Sequence, residues 1–201
     1  MGACEVFCYS LKAWRNPHAF MRQLVNTLRL IDGGAHITKA FMSLPPDEVV
    51  RLYVDGDIDS QSTMALWFDL LNRRPDVLAY GYSKSWSLFL GWNASGKPFP
   101  TNYVLNLSGG SKYGESMRQA MERLPIVRGE FLALESTVKM PPGETSAEIR
   151  QHPNWKAYVD AMRQAAAAAG IGKVYVCPGK CGDCTGVGHA CGNLTLKLPV
   201  V

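Results

Sequence analysis

The sequence predicts one α/β domain built on a parallel sheet. Apolar runs typical of buried strands alternate with amphipathic helical segments, and turn residues separate the two kinds of segment. The length of 201 residues, 47% of them hydrophobic, suits a single domain with a substantial core. We therefore predict one domain over 1–201, with a cysteine-rich metal-binding segment at 177–193.

The individual elements follow from periodicity and from helix-stopping residues. Apolar residues at helical intervals predict a helix over 11–31 that ends at Asp32-Gly33-Gly34, and a helical or mixed piece covers 35–43. Strands are predicted at 49–57, 77–85, 102–110, 127–134 and 173–179. Helices are predicted at 60–74, 86–92, 114–123 and 153–169. Aromatic residues on the helix faces are expected in the core: Trp14, Trp67 and Phe68.

Right-handed crossovers place the carboxyl ends of parallel strands at one edge of a sheet, where active sites of such folds form. The ends of the predicted strands place the following residues at that edge: Asp55, Gly56, Asp57, Asp59, Ser60, Ser83, Lys84, Ser85, Asn106, Ser108 and Cys177. We select Asp57, Ser60 and Lys84 as candidate ligand-binding residues, because carboxylates bind Mg²⁺ or exchange protons and a lysine between serines can hold an anion. The alternatives stay open: a solvated loop in which Asp59 or Ser60 caps the next helix, and a surface lysine.

All six cysteines lie near the two ends of the chain. Cys4 and Cys8 form a C-x3-C pair, and the others follow as C-x3-C-x2-C-x6-C: Cys177, Cys181, Cys184 and Cys191. Glycines between the latter four let a short loop turn several sulfurs inward. Thiolates so close together repel one another unless a cation compensates, as a metal does. We expect the cysteine-rich N- and C-terminal ends to meet at the carboxyl edge of the strands.

An iron–sulfur cluster is our first interpretation of the cysteines, because four thiolates are the usual ligands of a [4Fe–4S] centre. Structural zinc is the alternative, since Cys181 and Cys184 resemble a zinc knuckle that His189 or Cys191 could complete. Disulfides and thiols without a metal are further alternatives. Cys4 and Cys8 could bind the same centre, bind a second one, or be buried apolar thiols.

Composition and charge indicate which cellular compartment and which classes of binding partner to expect. Residues 1–9 lack the features of a secretory signal, so a reducing cytoplasm is expected, where disulfides are rare. No apolar stretch reaches the roughly eighteen residues of a membrane span, and we expect no membrane partner. The net charge of +4 is scattered, so a nucleic-acid partner stays open without support from a basic patch. The Gly-x-Ser-x-Gly and His-Glu-x-x-His motifs of two hydrolase classes do not occur.

Four blocks of the chain resemble the gene product 88 family of phage and plasmid proteins. They are Cys8-Tyr9, Gly56-Asp57 with Ser60, Tyr82-Ser83-Lys84-Ser85, and the cluster from Cys177 to Cys191. The resemblance implies architecture and a phage-type origin, hence the cytoplasm of a bacterial host, and implies no activity.

A more distant likeness is to radical S-adenosylmethionine enzymes, whose C-x3-C-x2-C spacing matches Cys177, Cys181 and Cys184. In those enzymes the motif follows the first strand, whereas here it lies at the other end of the chain. The likeness implies, by analogy of fold alone, a partial (open) βα barrel.

Two functions from different classes follow. The first is an iron–sulfur protein with a redox or Lewis-acid activity on a small ligand bound near Asp57, Ser60 and Lys84. The second is a non-catalytic binding module, stapled by zinc or a cluster, that acts on a protein or nucleic-acid partner. No catalytic residue is identified, and the lack of a complete catalytic motif favours the second.

Overall fold

The structure is a computed structural model that describes residues 14–180 and 190–201. Its centre is a four-stranded, all-parallel, open sheet in the order β1-β2-β3-β4. The strands are β1 (Val49–Leu52), β2 (Leu78–Ser83), β3 (Tyr103–Ser108) and β4 (Val127–Phe131). The predicted α/β fold with parallel strands is therefore confirmed, with each strand shorter than its predicted segment.

Seven α-helices are present in the described part of the chain. They are α1 (Pro17–Ile31), α2 (Ala35–Met42), α3 (Gln61–Arg73), α4 (Trp86–Ala94), α5 (Glu115–Glu122), α6 (Ser146–Gln151) and α7 (Trp155–Ala168), and a 3₁₀ turn covers Ala190–Gly192. The sequence analysis missed α6. Its signal is a capping arrangement in which Thr145 accepts from the Glu148 amide and Glu148 accepts from the Glu144 amide.

The predicted fifth strand at 173–179 is not a strand of the described sheet. Its only described pairing is a single parallel bridge from Tyr175 to Val200, and Val200 also bridges Phe131 of β4. The last residues of the chain thus lie between β4 and the 175–177 segment. Val200 therefore separates the 175–177 segment from β4 and connects the two through isolated bridges. The parallel direction still leads the segment towards Cys177 at the carboxyl edge of the sheet.

The two faces of the sheet have different partners, because side chains alternate along each strand. One face packs on α3, α4 and α5 in the main core, with these members in the sheet: Leu52, Ala79, Tyr103, Leu105, Leu107 and Val127. The other face has none of these helices against it. We call it the helix-free face, and it packs on the C-terminal segment through a cluster that includes Tyr80, Val104, Cys191 and Val200.

The aromatic residues predicted for the core have three different outcomes. Phe68 is 1% exposed and joins the main core, as predicted, and Trp67 is half-buried against that core. Trp14 is 50% exposed, so its prediction is wrong. The reason is that α1 has no buried residue and presents its apolar side chains outward. None of the helices in the described ranges has the length and hydrophobicity needed to cross a membrane.

Candidate functional site

The carboxylate of Asp57 joins the loop after β1 to the loop after β2. Its Oδ1 accepts hydrogen bonds from the Ser83 hydroxyl at 2.7 Å and the Ile58 amide at 2.8 Å. Its Oδ2 accepts from the amides of Lys84 at 2.6 Å and Ser85 at 3.1 Å. Both carboxylate oxygens therefore hold the backbone immediately before α4, where a negative charge is also favoured by the helix dipole.

Ser60 and Lys84 lie on the two loops that Asp57 connects. The Ser60 hydroxyl accepts a hydrogen bond from the Thr63 amide at 3.1 Å, so Ser60 is the N-cap of α3. This agrees with the capping alternative stated for the sequence. Lys84 contributes its backbone amide to Asp57, and its side chain is half-buried. The structure thus brings Asp57 and Lys84 together at the carboxyl edge and gives Asp57 and Ser60 local structural contacts.

A second polar group lies on the helix-free face. Among the residues that the strands direct to this side, each strand contributes a member of this group: Arg51 of β1, Tyr82 of β2, Asn106 of β3 and Arg128 of β4. The Arg51 guanidinium lies 4.7 Å from the centre of the Tyr82 ring, within the range of a cation–π contact. Two cations therefore flank a tyrosine and an asparagine on one face of the sheet.

Arg128 is almost completely buried, with 1% of its surface exposed. Its Nη1 donates to the carbonyls of Leu196 at 3.0 Å and Leu198 at 2.8 Å, and its Nη2 to the Glu130 carbonyl at 3.3 Å. Its Nε donates to the side-chain oxygen of Asn106. These partners are neutral, and no carboxylate within residues 14–180 and 190–201 forms an ion pair with it. Burial lowers the pKa of Arg128, whereas Cys191 and Tyr82 act in the opposite direction.

Cys191 is buried beside this group. The Asn106 amide donates to the Cys191 carbonyl at 2.9 Å and to the Gly81 carbonyl at 3.2 Å, which fixes the 3₁₀ turn against the sheet. The Tyr82 hydroxyl forms a hydrogen bond with the Cys191 side chain. Burial raises the pKa of Tyr82 above its ordinary value, and the neighbouring Cys191 raises it further. Cys191 therefore lies close to both the buried Arg128 guanidinium and the Tyr82 hydroxyl.

Cys177 belongs to the same cluster on the helix-free face and is half-buried. The Gly179 amide donates to the Cys177 sulfur at 3.3 Å. Gly179 has a φ of +74°, and a Cβ there would lie 2.8 Å from the Met140 sulfur, so only glycine fits this turn without strain. This turn therefore directs a backbone amide at the Cys177 sulfur.

Residues 1–133 match the sequence profile of the Gene product 88 family. The chain belongs to the Gene product 88 family. No curated protein and no solved structure matches it, so the analogy with radical S-adenosylmethionine enzymes has no support.

The part of the chain that matches the Gene product 88 profile includes all four strands and three of the four blocks on which the resemblance was based. Arg51, Tyr82, Asn106 and Arg128 therefore all lie within the matched residues. The C-terminal cysteines lie beyond the match. The matched residues therefore include the sheet with its helix-free face and exclude the C-terminal cysteines.

Only two of the six cysteines in this Gene product 88 protein can be described. Cys177 and Cys191 lie in one cluster, whereas four predicted ligands lie outside the described residues: Cys4, Cys8, Cys181 and Cys184. His189 lies outside them as well. Among the residues that are described, no group of three or more metal-binding side chains occurs. The predicted ligand set therefore stays a prediction.

Sequence reasoning missed Arg51, Tyr82 and Arg128. The sequence contained one signal for them, the alternation of side chains along each strand: these residues alternate with core residues on the opposite face. A charged residue inside a predicted buried strand needs a buried partner. Arg51 and Arg128 could have been selected on that basis, without knowing which segment supplies the partner.

Proposed function

We propose that this Gene product 88 protein binds an iron–sulfur cluster of the [4Fe–4S] type on the helix-free face of its sheet. The C-terminal cysteines are the proposed ligands: Cys177, Cys181, Cys184 and Cys191. Cys4 and Cys8 are proposed to bind the same centre or a second one, with both chain ends meeting at the carboxyl edge of a partial (open) βα barrel. The observation that supports the proposal most directly is the buried guanidinium of Arg128 beside Cys191, which forms no ion pair with a carboxylate of residues 14–180 and 190–201.

The buried guanidinium of Arg128 carries a desolvation cost. A guanidinium removed from water is destabilising unless a negative group compensates it, and hydrogen bonds to carbonyls compensate only in part. A cluster bound by four thiolates has a net negative charge. Such a centre at Cys191 would supply the counter-charge that the described carboxylates do not.

The hydrogen bonds to sulfur support the same proposal. Cys177 accepts from the Gly179 amide and Cys191 from the Tyr82 hydroxyl. Hydrogen bonds to the ligand sulfurs are one of the means by which proteins set cluster potentials. A purely apolar thiol would not require a glycine turn whose amide points at it.

The proposed activity is redox or Lewis-acid chemistry on a small ligand bound at the cluster. Asp57 and Ser60 are engaged in local hydrogen bonds, which leaves the Lys84 side chain as the better of the original ligand candidates. Arg51, which lies on the helix-free face with Tyr82, is a further candidate for an anionic ligand. No group is assigned a catalytic role.

A structural zinc centre in a non-catalytic binding module is the second candidate. The observation that favours it is the way the C-terminal segment already closes on β4, through Val200 and the carbonyls bound by Arg128. A tetrahedral zinc site at the cysteines would hold the C-terminal segment on the sheet more firmly and would catalyse no reaction. Such a module would act through a protein or nucleic-acid partner.

Anaerobic purification with iron, sulfide and zinc analysis tests the proposal. Equal iron and sulfide, with broad absorbance near about 400 nm, is the expected result. Cys191→Ala and Cys177→Ala should each reduce bound iron, whereas Val176→Ala, a buried neighbour without sulfur, should not. A colourless protein with stoichiometric zinc would overturn the cluster and leave the binding module. A metal-free protein would overturn both.

A further inference from the structure

Helix α1 turns its apolar side away from the rest of the protein. Its large apolar side chains are exposed by 37% to 75%: Phe20, Met21, Leu24, Val25, Leu28 and Ile31. The only half-buried residues of the helix are Ala19, Gln23 and Leu30. With about 3.6 residues per turn, these two sets lie on opposite sides of the helix. We call the exposed set the apolar stripe.

Described hydrogen bonds connect α1 with the residues around it. Gln23 donates from its side chain to Asp55 in the loop after β1, and Trp14 donates its indole N–H to Gln23. An amphipathic helix that served only the fold would bury its apolar stripe. A contiguous exposed patch of this kind marks an interaction site.

The charge around the apolar stripe is one-sided. Residues 14–43 have four basic residues, Arg15, Arg22, Arg29 and Lys39, against one acidic residue, Asp32. Their net charge of +3 accounts for most of the +4 of the whole chain. Helix α1 itself contains no acidic residue. Arg22 and Arg29 are seven positions apart, hence on the same flank of the stripe.

We propose that α1 docks on an anionic lipid surface. The helix lies parallel to the surface, with the apolar stripe at the boundary between headgroups and acyl chains. Arg22 and Arg29 contact lipid phosphates from the flank. This docking is peripheral and does not depend on the proposed metal centre. It replaces the sequence-based expectation of no membrane partner, which rested on the lack of a membrane span and not on a surface helix.

The charge pattern favours lipid over the other occupants of such a stripe. An antiparallel pair of two copies of α1 would bring the basic flank of one copy against the same flank of the other, with no acidic residue to compensate. A nucleic acid would satisfy Arg22 and Arg29 and leave the apolar stripe in water. An anionic bilayer satisfies both features at once.

Sedimentation of the full chain with vesicles tests the proposal. We expect binding to vesicles of phosphatidylcholine mixed with phosphatidylglycerol and much weaker binding to phosphatidylcholine alone. Arg22→Gln with Arg29→Gln should weaken binding about thirtyfold, since each basic residue near an anionic surface contributes about a factor of five. Leu24→Gln with Leu28→Gln should weaken it by roughly a hundredfold or more. Because these side chains are exposed, neither variant should lower the thermal unfolding midpoint.

Matched controls lie outside α1. Met140→Gln removes an apolar side chain that is 41% exposed, and Arg73→Gln removes an exposed basic one. Both should bind vesicles like the wild type. Equal binding to neutral vesicles, no binding to anionic ones, or binding unchanged in both α1 variants would overturn the proposal. So would a concentration-dependent dimer that Leu24→Gln with Leu28→Gln dissociates.

Discussion

Arg128 of β4 donates a hydrogen bond from its buried guanidinium to the side-chain oxygen of Asn106 on β3. The same guanidinium donates to the carbonyls of Leu196 and Leu198, and Asn106 donates to the carbonyl of Cys191. Two side chains in neighbouring strands thus fix the C-terminal segment on the sheet. The position of Cys191 depends on this pair.

Replacing Arg128 by methionine should therefore destabilise the fold. The change leaves the carbonyls of Leu196 and Leu198 and the oxygen of Asn106 buried without their donor. We expect a loss of about 3–5 kcal/mol in the free energy of unfolding, measured by urea denaturation. If the cysteines bind a metal, its content should fall as well, because Cys191 loses its anchor.

Arg118→Met is the control for removing an arginine. Arg118 pairs with Glu115 and Glu122 on the exposed side of α5, and such pairs contribute at most about 1 kcal/mol. An Arg128→Met protein that unfolds at the wild-type urea midpoint would contradict the anchoring role.

Asp57→Asn should destabilise the loop before α4 and leave the metal centre intact. An amide keeps one acceptor oxygen and loses the charge-assisted bonds to Ser83 and to the amides of Lys84 and Ser85. We expect a loss of about 1–3 kcal/mol in thermal or urea unfolding. Metal content and absorbance should stay at the wild-type level.

Asp59→Asn is the matched control, since Asp59 is exposed and its described side-chain contact is with the Ser60 hydroxyl at 3.4 Å. It should unfold like the wild type. Loss of the metal in Asp57→Asn but not in Asp59→Asn would instead assign Asp57 to the neighbourhood of the centre.

The α/β fold was predictable because its strands and helices show clear hydrophobic periodicity and end at recognisable glycine and proline residues. Ser60 was predicted, as one alternative, to be the cap of α3, and local sequence is enough for that role. The pairing of 175–177 was not predictable, because its neighbour is a tail of a few residues at the end of the chain. The orientation of α1 was not predictable either, since periodicity reveals an apolar stripe without revealing what it faces.

The polar group on the helix-free face was missed for a related reason. Arg128 bonds to carbonyls some seventy positions later in the sequence, at separations of 68 and 70 residues. Strands buried on both faces are expected to be apolar throughout, so an inward arginine has no local explanation. Only the folded position of Leu196 and Leu198 supplies one.

Glu130→Gln should stabilise the protein at neutral pH. Burial raises the pKa of Glu130, against a smaller opposing effect of Arg118. As pH rises above the ordinary glutamate pKa of about 4.3, the Glu130 carboxyl loses its proton in the unfolded chain before it does so in the folded protein. The free energy of unfolding therefore falls with rising pH until the pH passes the raised pKa of Glu130 in the folded protein. At pH 7 the variant should unfold at a higher urea concentration than the wild type. At pH 4 this difference should shrink, because Glu130 is then largely protonated and as neutral as the glutamine that replaces it. An equal difference at both pH values would contradict a charge effect.

Tyr82→Phe should lower the reduction potential of the proposed cluster without releasing it. The phenol hydrogen bond to Cys191 stabilises the more negative, reduced state, so its removal favours the oxidised state. A shift of some tens of millivolts, or a few-fold change in a one-electron equilibrium constant, should appear in a spectroscopic redox titration. Tyr103→Phe is the control, because Tyr103 is a buried tyrosine of the same sheet but lies on the helix-facing side of β3. If the potential stays unchanged while the cluster is retained, the hydroxyl has no part in tuning it. If iron is absent from the wild type and both variants, the cluster proposal itself is wrong.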